Sequence, residues 1–315
     1  MTLSLGSVSV DLDPLRCYYQ IHGLGPSPDH LTDVVLQRAL PRFLDVFDRF
    51  GLRSTLFVVG SDALDGSPGR PLLREAARLG HELGNHSFHH PYDLSRLPLS
   101  VIVDELRACE QVLDELRGKP GSVCGFRAPG YELSPTLLSA LSQLGFRYDS
   151  SVFPCPPYYL AKLAVLAKLR VSGRRSSSII GSPWQQLAPM QPYRPAQDDP
   201  NRPGSAPLIE LPVAVTKYLR LPAIGTSLLL SAPLRRALLT GMLRQPFFNL
   251  ELHGIDLIDA KLDGIPSELV ARQPDLQVPL WQKQQSLVEI LRFLTDHAQV
   301  LPLQDVASHF AQTMV

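Results

Sequence analysis

Histidine is unusually clustered in one segment of this 315-residue sequence. Four of the nine histidines lie in residues 81–90, which read His-Glu-Leu-Gly-Asn-His-Ser-Phe-His-His. Imidazole is the commonest protein ligand for metals. His86 and His90 are four residues apart, so a single helical turn would place both on one face, and His89 is expected to point away. The pair predicts two ligands of a metal site that still requires a third.

Two carboxylates near the N-terminus are the natural candidates for the third ligand. Asp11 and Asp13 end an apolar run, residues 5–10, that reads as a strand. Side chains alternate along a strand, so both carboxylates point to the same side. One of them could bind the metal while the other moves protons. Three protein ligands would leave a position open for water, as in hydrolytic metal sites.

The segments that must position these residues alternate between strand and helix. Apolar and β-branched runs predict strands at 5–10, 54–59, 82–84, 123–126, 146–149, 208–212, 247–252 and 299–301. Apolar periodicity and capping signals predict helices at 31–50, 71–79, 100–116, 134–144, 158–169, 280–296 and 304–314. Such β-then-α units predict an α/β fold of the distorted (β/α)7-type barrel, with apolar helices that cap it. Catalytic residues of such barrels lie at the carboxyl ends of strands, where the aspartates and the histidine cluster fall.

Four motifs occur in order along the chain. They are the strand ending in Asp-Leu-Asp, His-Ser-x-x-His at 86–90, Phe-Arg-Ala-Pro-Gly at 126–130 and Leu-Glu-Leu-His at 250–253. This ordered set resembles the polysaccharide deacetylase family, also called carbohydrate esterase family four. The resemblance covers residues 5–153 well and residues 208–303 loosely. It implies a metal-dependent hydrolase that cleaves amide bonds.

The resemblance also implies roles for individual residues. Asp13, His86 and His90 would bind one divalent metal, with zinc as the default and cobalt, nickel, manganese or iron as alternatives. In the family pattern the two aspartates are adjacent, whereas here one residue separates them. Asp11 would be the general base that takes a proton from the attacking water. Arg127 would pair with Asp11 and keep it ionised and oriented.

His253 would be the general acid that protonates the departing amine. An acidic side chain should orient it, and three candidates stay open, namely Asp149, Glu210 and Asp256. The family's usual Asp-Trp signature is missing, since Tyr-Asp-Ser-Ser stands in the corresponding region, residues 148–151. The general acid is therefore predicted from the motif order, without an assigned partner.

Residues beside these motifs are candidates for binding the substrate. By resemblance, Tyr131 would offer its backbone N–H to the oxyanion. Pro129 would shape the loop that brings backbone close to the substrate. Residues 14–30 read as a loop long enough to form a rim of the site, and this loop carries Tyr18 and Tyr19.

Length and composition favour a single domain over residues 1–315, with the Pro-, Ser- and Arg-rich residues 154–207 as an insertion. Equal numbers of basic and acidic residues, 30 of each, argue against a nucleic-acid partner. The apolar segments 158–169 and 219–239 either cap the barrel or contact a membrane surface that carries a lipid-linked sugar. The chain opens without a signal-peptide pattern, and its four cysteines show no redox spacing. A cytoplasmic location, free or membrane-associated, is therefore expected, while the oligomeric state stays open.

Together these features predict a hydrolase that removes an N-acyl group, most simply acetyl, from an amino sugar of a glycan or a lipid-linked glycan precursor. A small-molecule amidohydrolase or deformylase would share the whole site. A catalytically inactive carbohydrate-binding relative should lack a ligand or the acid, whereas every expected position is filled here. A non-haem iron oxygenase also uses two histidines and a carboxylate, but Arg127 and His253 would then have no role.

Overall fold

The computed structural model describes residues 4–243 and 245–314. Its strands are β1 (Ser4–Asp11), β2 (Thr55–Val58), β3 (Glu82–Asn85), β4 (Gly125–Phe126), β5 (Tyr148–Asp149), β6 (Ile209–Glu210), β7 (Phe247–His253) and β8 (Ala298–Val300). They form one sheet in the order β6-β5-β4-β3-β2-β1-β7, and β8 pairs with the start of β1. All pairings between these strands are parallel, so their carboxyl ends meet at one edge.

The central strand β1 sets the position of the N-terminal aspartates. It is buried from Gly6 onward, as expected for a parallel strand whose sheet is covered by helices. Its pairing with β7 puts Asp11 directly opposite His253, and its pairing with β2 puts Asp11 opposite Phe57. The two residues predicted to carry acid–base chemistry are therefore neighbours across the sheet.

The sheet curls until its two outer strands approach each other. Beyond β6, the Ala214 N–H donates to the carbonyl of Asn249 in β7 at 2.9 Å. The Asn249 side-chain amide donates in turn to the Leu211 carbonyl at 3.3 Å. These contacts join the edges of a distorted barrel. The predicted α/β class and (β/α)7-type architecture are confirmed.

Helices cover the outside of the sheet. The α-helices are α1 (Leu15–Ile21), α2 (Leu40–Arg49), α3 (Arg70–Arg78), α4 (Leu99–Arg117), α5 (Pro135–Leu144), α6 (Pro156–Val171), α7 (Gly225–Leu229), α8 (Ala232–Met242), α9 (Ser267–Val270), α10 (Leu280–His297) and α11 (Leu303–Thr313). Short 3-10 turns occur at Asp29–Leu31, Gly60–Ala63, Leu94–Arg96, Pro183–Leu187, Gly254–Leu257 and Pro274–Gln277. The start of α5 follows its sequence signals, because the Ser134 Oγ accepts the Leu137 N–H at 3.2 Å and Pro135 occupies the first turn.

Two stretches differ from the sequence prediction. Residues 14–30 are not a continuous loop, because α1 begins directly after Pro14. This seven-residue helix is too short to show a periodic pattern, and burial of its apolar side chains stabilises it instead. The single helix predicted over residues 31–50 is divided into a π turn, Val35–Ala39, and the regular helix α2. Pro41 lies just after the π turn, and its missing N–H, which cannot bond to the carbonyl four residues earlier, fits a local change of helix type there.

The two apolar segments occupy different environments. Residues 219–239 contain α7 and most of α8, and they pack against α10. The Arg235 guanidinium there donates to Ser286 Oγ at 3.0 Å and pairs with Glu289 at 2.6 Å. Helix α6, in the predicted insertion, contains no buried residue. Among the described residues, no helix is long and apolar enough to cross a bilayer. The single-domain organisation stays a prediction.

Candidate active site

Asp13, His86 and His90 come together at the carboxyl edge of the sheet. The Oδ1 atom of Asp13 lies 3.1 Å from Nε2 of His86 and 3.3 Å from Nε2 of His90. All three side chains are buried, and neither Asp13 Oδ1 nor His90 Nε2 has a hydrogen-bond partner among the described residues. Buried polar atoms are almost always satisfied. Three converging ligand atoms, two of them without partners, therefore fit a divalent metal.

The two histidines lie in a loop after β3, so the prediction of a helical turn was wrong. Ser87 and His90 have φ angles of 60° and 62°, in the left-handed region that non-glycine residues rarely adopt. The His86 Nδ1 donates to the Arg127 carbonyl at 2.7 Å, and the His90 Nδ1 lies 3.4 Å from the Cys17 sulfur. These contacts turn both Nε2 atoms toward the aspartate. A strained loop thus achieves what the spacing of four residues suggested for a helix.

The charge state of Asp13 suits a ligand, and His89 lies apart from the site. Burial disfavours the charged form, but the two histidine rings outweigh it and hold the pKa of Asp13 well below its usual range. His89 is exposed, and its Nδ1 lies 2.6 Å from the Glu105 carboxylate. It points away from the cleft, as expected.

Asp11 is held by a fully buried arginine. Its Oδ1 accepts from Arg127 Nη1 at 2.6 Å. The guanidinium also donates to Ser9 Oγ and to both the Oγ and the carbonyl of Ser150, each at 2.9 Å, and it lies 4.3 Å above the Phe57 ring. Burial raises the pKa of Asp11, and Arg127 opposes part of that rise. A fixed carboxylate with a raised pKa is suited to accept a proton near neutral pH.

His253, at the end of β7, faces the same cleft. Its Nδ1 lies 2.8 Å from Oε1 of Glu251, which is two residues earlier on the same strand. Burial alone would lower the pKa of His253. The carboxylates of Glu251, Asp13 and Asp11 outweigh burial and raise that pKa well above the usual value. The protonated ring is therefore favoured, as a general acid requires.

The acidic partner of this histidine ring is none of the three residues proposed from the sequence. Asp149 and Glu210 accept hydrogen bonds from residues 151–152 instead. Asp256 accepts the backbone N–H of the histidine at 2.9 Å and caps the turn that follows. Glu251 was missed although it belongs to the Leu-Glu-Leu-His motif. Alternation along a strand, which puts residues two apart on one side, could have found it.

Tyr131 contacts the proposed acid through its side chain. Its Oη lies 3.2 Å from Nε2 of His253. The backbone N–H, which was expected to face an oxyanion, donates instead to the Ala128 carbonyl at 3.2 Å. Tyr131 also has a φ of 66°, and strained backbone of this kind is concentrated at functional sites. The loop geometry therefore presents the phenol, and not the amide, to the cleft.

The other predicted substrate residues divide into two groups. Tyr18 lines the cleft, and its buried hydroxyl has no hydrogen-bond partner among the described residues. Tyr19 and Pro129 are buried, and neither residue lines the cleft. Gly130, directly after Pro129, does line the cleft. Tyr18 is thus brought to the site, whereas Tyr19 and Pro129 support the elements around it.

One wall of the cleft comes from the insertion, and sequence reasoning did not assign any residue there to the site. Tyr158 and Lys162 of α6 line the cleft together with Ser178. The Lys162 Nζ lies 3.5 Å from the Gly130 carbonyl, and burial lowers the pKa of Lys162 to about 8. No local pattern indicates that α6 folds back over the barrel, since this position depends on tertiary contacts. Fold and site together define an α/β barrel with an Asp-His-His site, an Asp–Arg pair and a Glu–His pair at one edge.

Similarity to known proteins agrees with this description. Residues 29–148 match the family model of the polysaccharide deacetylases. The Bacillus subtilis peptidoglycan-N-acetylmuramic acid deacetylase PdaA is 32% identical over 107 residues, which are 34% of this chain and 39% of that protein. The chain therefore spans well under half the length of this relative. Residues 29–148 are therefore similar to the polysaccharide deacetylases, and the resemblance seen in the motifs is confirmed.

Solved structures share the fold over nearly the whole chain. A polysaccharide deacetylase homologue from Mycobacterium smegmatis aligns over 100% of this chain and 93% of its own, with a TM-score of 0.62 and 18% identity. A homologue from Pseudomonas aeruginosa aligns over 98% and 91%, with a TM-score of 0.57 and 14% identity. At these identities the similarity concerns the fold alone. These structures therefore assign no role to a residue of this chain, and the proposed roles follow from the geometry and chemistry of its own site.

Proposed function

We propose that this protein is a metal-dependent hydrolase that removes an N-acyl group, most simply acetyl, from an amino sugar of a glycan or of a lipid-linked glycan precursor. The observation that carries the proposal is the buried convergence of Asp13 Oδ1 with the Nε2 atoms of His86 and His90. The family match over residues 29–148 and the similarity to a relative named as a peptidoglycan deacetylase support the same reaction class.

Asp13, His86 and His90 would hold one divalent metal. Zinc is the default because it favours closely spaced nitrogen and oxygen ligands with one position left open, and cobalt, nickel, manganese or iron accept the same set. When bound, the metal would polarise the acyl carbonyl and lower the pKa of a water molecule. The low pKa of Asp13 keeps this ligand ionised at neutral pH.

Asp11 is the proposed general base. The attacking water must lose a proton as its oxygen bonds to the acyl carbon, and the Asp11 carboxylate can take that proton. Arg127 fixes the carboxylate through its 2.6 Å contact and is itself held by Ser9 and Ser150. This support limits rotation of the base, and such positioning is a large part of catalytic efficiency.

His253 is the proposed general acid. It would donate its Nε2 proton to the amide nitrogen as the C–N bond breaks, so that a carboxylic acid and an amine leave the site. Glu251 stabilises the protonated ring from the Nδ1 side. The Nε2 atom contacts the Tyr131 Oη, which must give way to the leaving nitrogen. Water thus supplies the hydroxyl of the acid, and His253 supplies the proton of the amine.

The wall from α6 favours substrates that enter the cleft by one end. Tyr158, Lys162 and Ser178 line the cleft together with residues at the strand ends and narrow its opening. A sugar head group of a lipid-linked precursor suits this enclosure better than a long polymer that lies across an open groove. A small-molecule amide would suit it as well and is the second candidate. The cytoplasmic location stays a prediction.

The first test measures metal content by elemental analysis together with acetate release from N-acetylglucosamine oligomers. The wild type is compared with His86→Ala and with His89→Ala, which removes an exposed histidine three residues away. We expect bound metal and acetate release in the wild type and in His89→Ala, and loss of both in His86→Ala.

Other outcomes would change the proposal in defined ways. Metal binding that depends on His86 without acetate release would keep the site and move the substrate to lipid-linked sugars or small amides. The absence of bound metal under every loading condition would contradict the mechanism.

A further inference from the structure

We propose that the outward face of α6 binds the surface of an anionic lipid bilayer. Apart from Lys162, Lys168 and Arg170, the helix consists of apolar and aromatic residues, and a helix of that composition is normally buried. Here none of its sixteen residues is buried. On the inward side of the helix, Tyr158 and Lys162 line the cleft and Leu166 lines the apolar groove beside it. Several other apolar residues of the helix face outward.

The outward side carries a continuous apolar stripe. Leu160, Leu163, Ala167 and Val171 recur at spacings of three or four residues, so they share one face of the helix, and all four are exposed. Leu160 is 63% exposed and Val171 is 90% exposed. Nothing in the described residues covers this stripe. Contiguous exposed apolar surface of this kind is typical of interaction sites.

A second exposed apolar element lies next to α6. The 3-10 turn Pro183–Leu187 contacts α6 and exposes both Trp184 and Leu187, with Trp184 67% exposed. Tryptophan is favoured at the boundary between lipid and water because its ring is apolar and its N–H is polar. We call the stripe of α6 together with Trp184 and Leu187 the α6 surface.

The charge of the stretch that carries the α6 surface favours an anionic partner. The chain as a whole has 30 basic and 30 acidic residues, yet no Asp or Glu occurs between Asp149 and Asp198. The basic residues of that stretch are Lys162, Lys168, Arg170, Arg174, Arg175 and Arg194. Lys168 and Arg170 lie on either side of the apolar stripe and are exposed. An apolar face bordered by Lys and Arg is the pattern by which helices lie on anionic membranes.

A second copy of this chain fits the α6 surface poorly. A two-fold symmetric dimer would bring the same patch of both subunits together. The basic stretch would then face its own copy, and residues 150–197 contribute no acidic side chain to balance it. A bilayer that contains anionic lipids offers both apolar chains and opposite charge. The inference goes beyond the proposed reaction and does not depend on it, because the residues of the α6 surface do not line the catalytic cleft.

The test is sedimentation of the full chain with lipid vesicles. Vesicles of phosphatidylcholine alone are compared with vesicles of equal parts phosphatidylcholine and phosphatidylglycerol. We expect binding to the anionic vesicles that weakens as salt is added, and little binding to the neutral ones. Measuring the His86→Ala variant in parallel separates this inference from the proposed function, since binding should survive when the metal site is lost.

Paired variants locate the contact. Leu160→Glu with Leu163→Glu should reduce binding to background, and Lys168→Glu with Arg170→Glu should weaken it by at least about tenfold. Leu262→Glu is the matched control, because Leu262 is 75% exposed but lies outside the insertion. It should bind like the wild type.

Intrinsic fluorescence gives a second readout, because the chain has only two tryptophans. The variant Trp281→Phe leaves Trp184 as the sole probe, and its emission should shift to the blue when anionic vesicles are added. The variant Trp184→Phe leaves Trp281, whose emission should not change. Equal binding to neutral vesicles, no binding to either kind, or unaltered binding of the Leu160→Glu/Leu163→Glu variant would overturn the proposal. So would a dimer, seen by light scattering, that those two substitutions dissociate.

Discussion

Arg127, at the strand ends that form the floor of the cleft, is fully buried and makes four hydrogen bonds through its guanidinium. Lys162 lies in α6, the wall of the cleft that we call the roof, and among the described residues its ammonium makes one hydrogen bond, of 3.5 Å, to the Gly130 carbonyl. The floor is part of the buried barrel, whereas the roof is a helix that contains no buried residue. Groups that move protons must be held in place, while groups that recognise a substrate tolerate adjustment. We infer that the proposed proton transfers depend on the barrel, whereas the insertion adds adjustable contacts to a substrate.

The largest effect is expected for the base in the floor. Asn cannot accept a proton, so Asp11→Asn should lower kcat by about 10²–10⁴-fold. Metal bound by Asp13, His86 and His90 should be retained, because Asp11 does not belong to that group of ligands. Steady-state kinetics and elemental analysis on the same preparation check both statements. Activity within a few-fold of the wild type would show that the base lies elsewhere.

The Arg127 network should be essential for stability as well as for positioning. Arg127→Met leaves the Asp11 charge buried without its partner, which should cost about 3–5 kcal/mol in the free energy of unfolding. Removing both charges in Asp11→Leu/Arg127→Met should recover much of that loss, because no buried charge is then left unpaired. Urea denaturation measures both variants. Activity should remain absent in the double variant, so that recovered stability is separated from function.

The Glu251–His253 pair should control the pH dependence. The Glu251 carboxylate raises the pKa of His253, so Glu251→Gln should lower it. Because the acid must be protonated, activity is lost as pH rises through this pKa. The alkaline limb of the kcat profile should therefore move to lower pH, with kcat at neutral pH reduced by about ten- to a hundredfold. An unchanged alkaline limb would mean that His253 is not the acid.

The smallest effect is expected in the roof. Lys162→Met should raise KM for an N-acetylated sugar that carries a carboxylate by about tenfold, with little change in kcat. In the wild type the same KM should rise above about pH 8, where Lys162 loses its charge. A neutral N-acetylated sugar should respond to neither change, and Lys168→Met serves as the exposed control. A large loss of kcat in Lys162→Met would show that this residue takes part in catalysis and would contradict the proposed difference between floor and roof.

Much of the floor could be predicted from the sequence because it follows from strand geometry. Parallel strands bring their carboxyl ends to one edge, where Asp11 at the end of β1 and Asp13 just after it both line the cleft. Alternation along a strand would have assigned Glu251 to His253. The helical turn proposed for His86 and His90 failed because residues four apart can also converge in a strained loop.

The roof could not be predicted in the same way. The helix α6 was expected from its apolar run, but nothing in that run fixes where the helix lies relative to the barrel. Its contact with Gly130, and its place in the cleft lining beside Ser178, depend on the path of the chain between residues 172 and 207. Sequence periodicity describes a helix and not its neighbours, so Lys162 remained outside the candidate site until the fold was known.

Titration of the metal-depleted protein with zinc, followed by acetate release from an N-acetylated amino sugar, tests the central claim most directly. Activity should be absent after chelation and should rise in proportion to bound zinc until one equivalent per chain is reached. Activity that survives chelation, or that stays absent when one zinc ion is bound and a range of N-acetylated sugars is offered, would contradict the assignment of the floor as a metal-dependent deacylase.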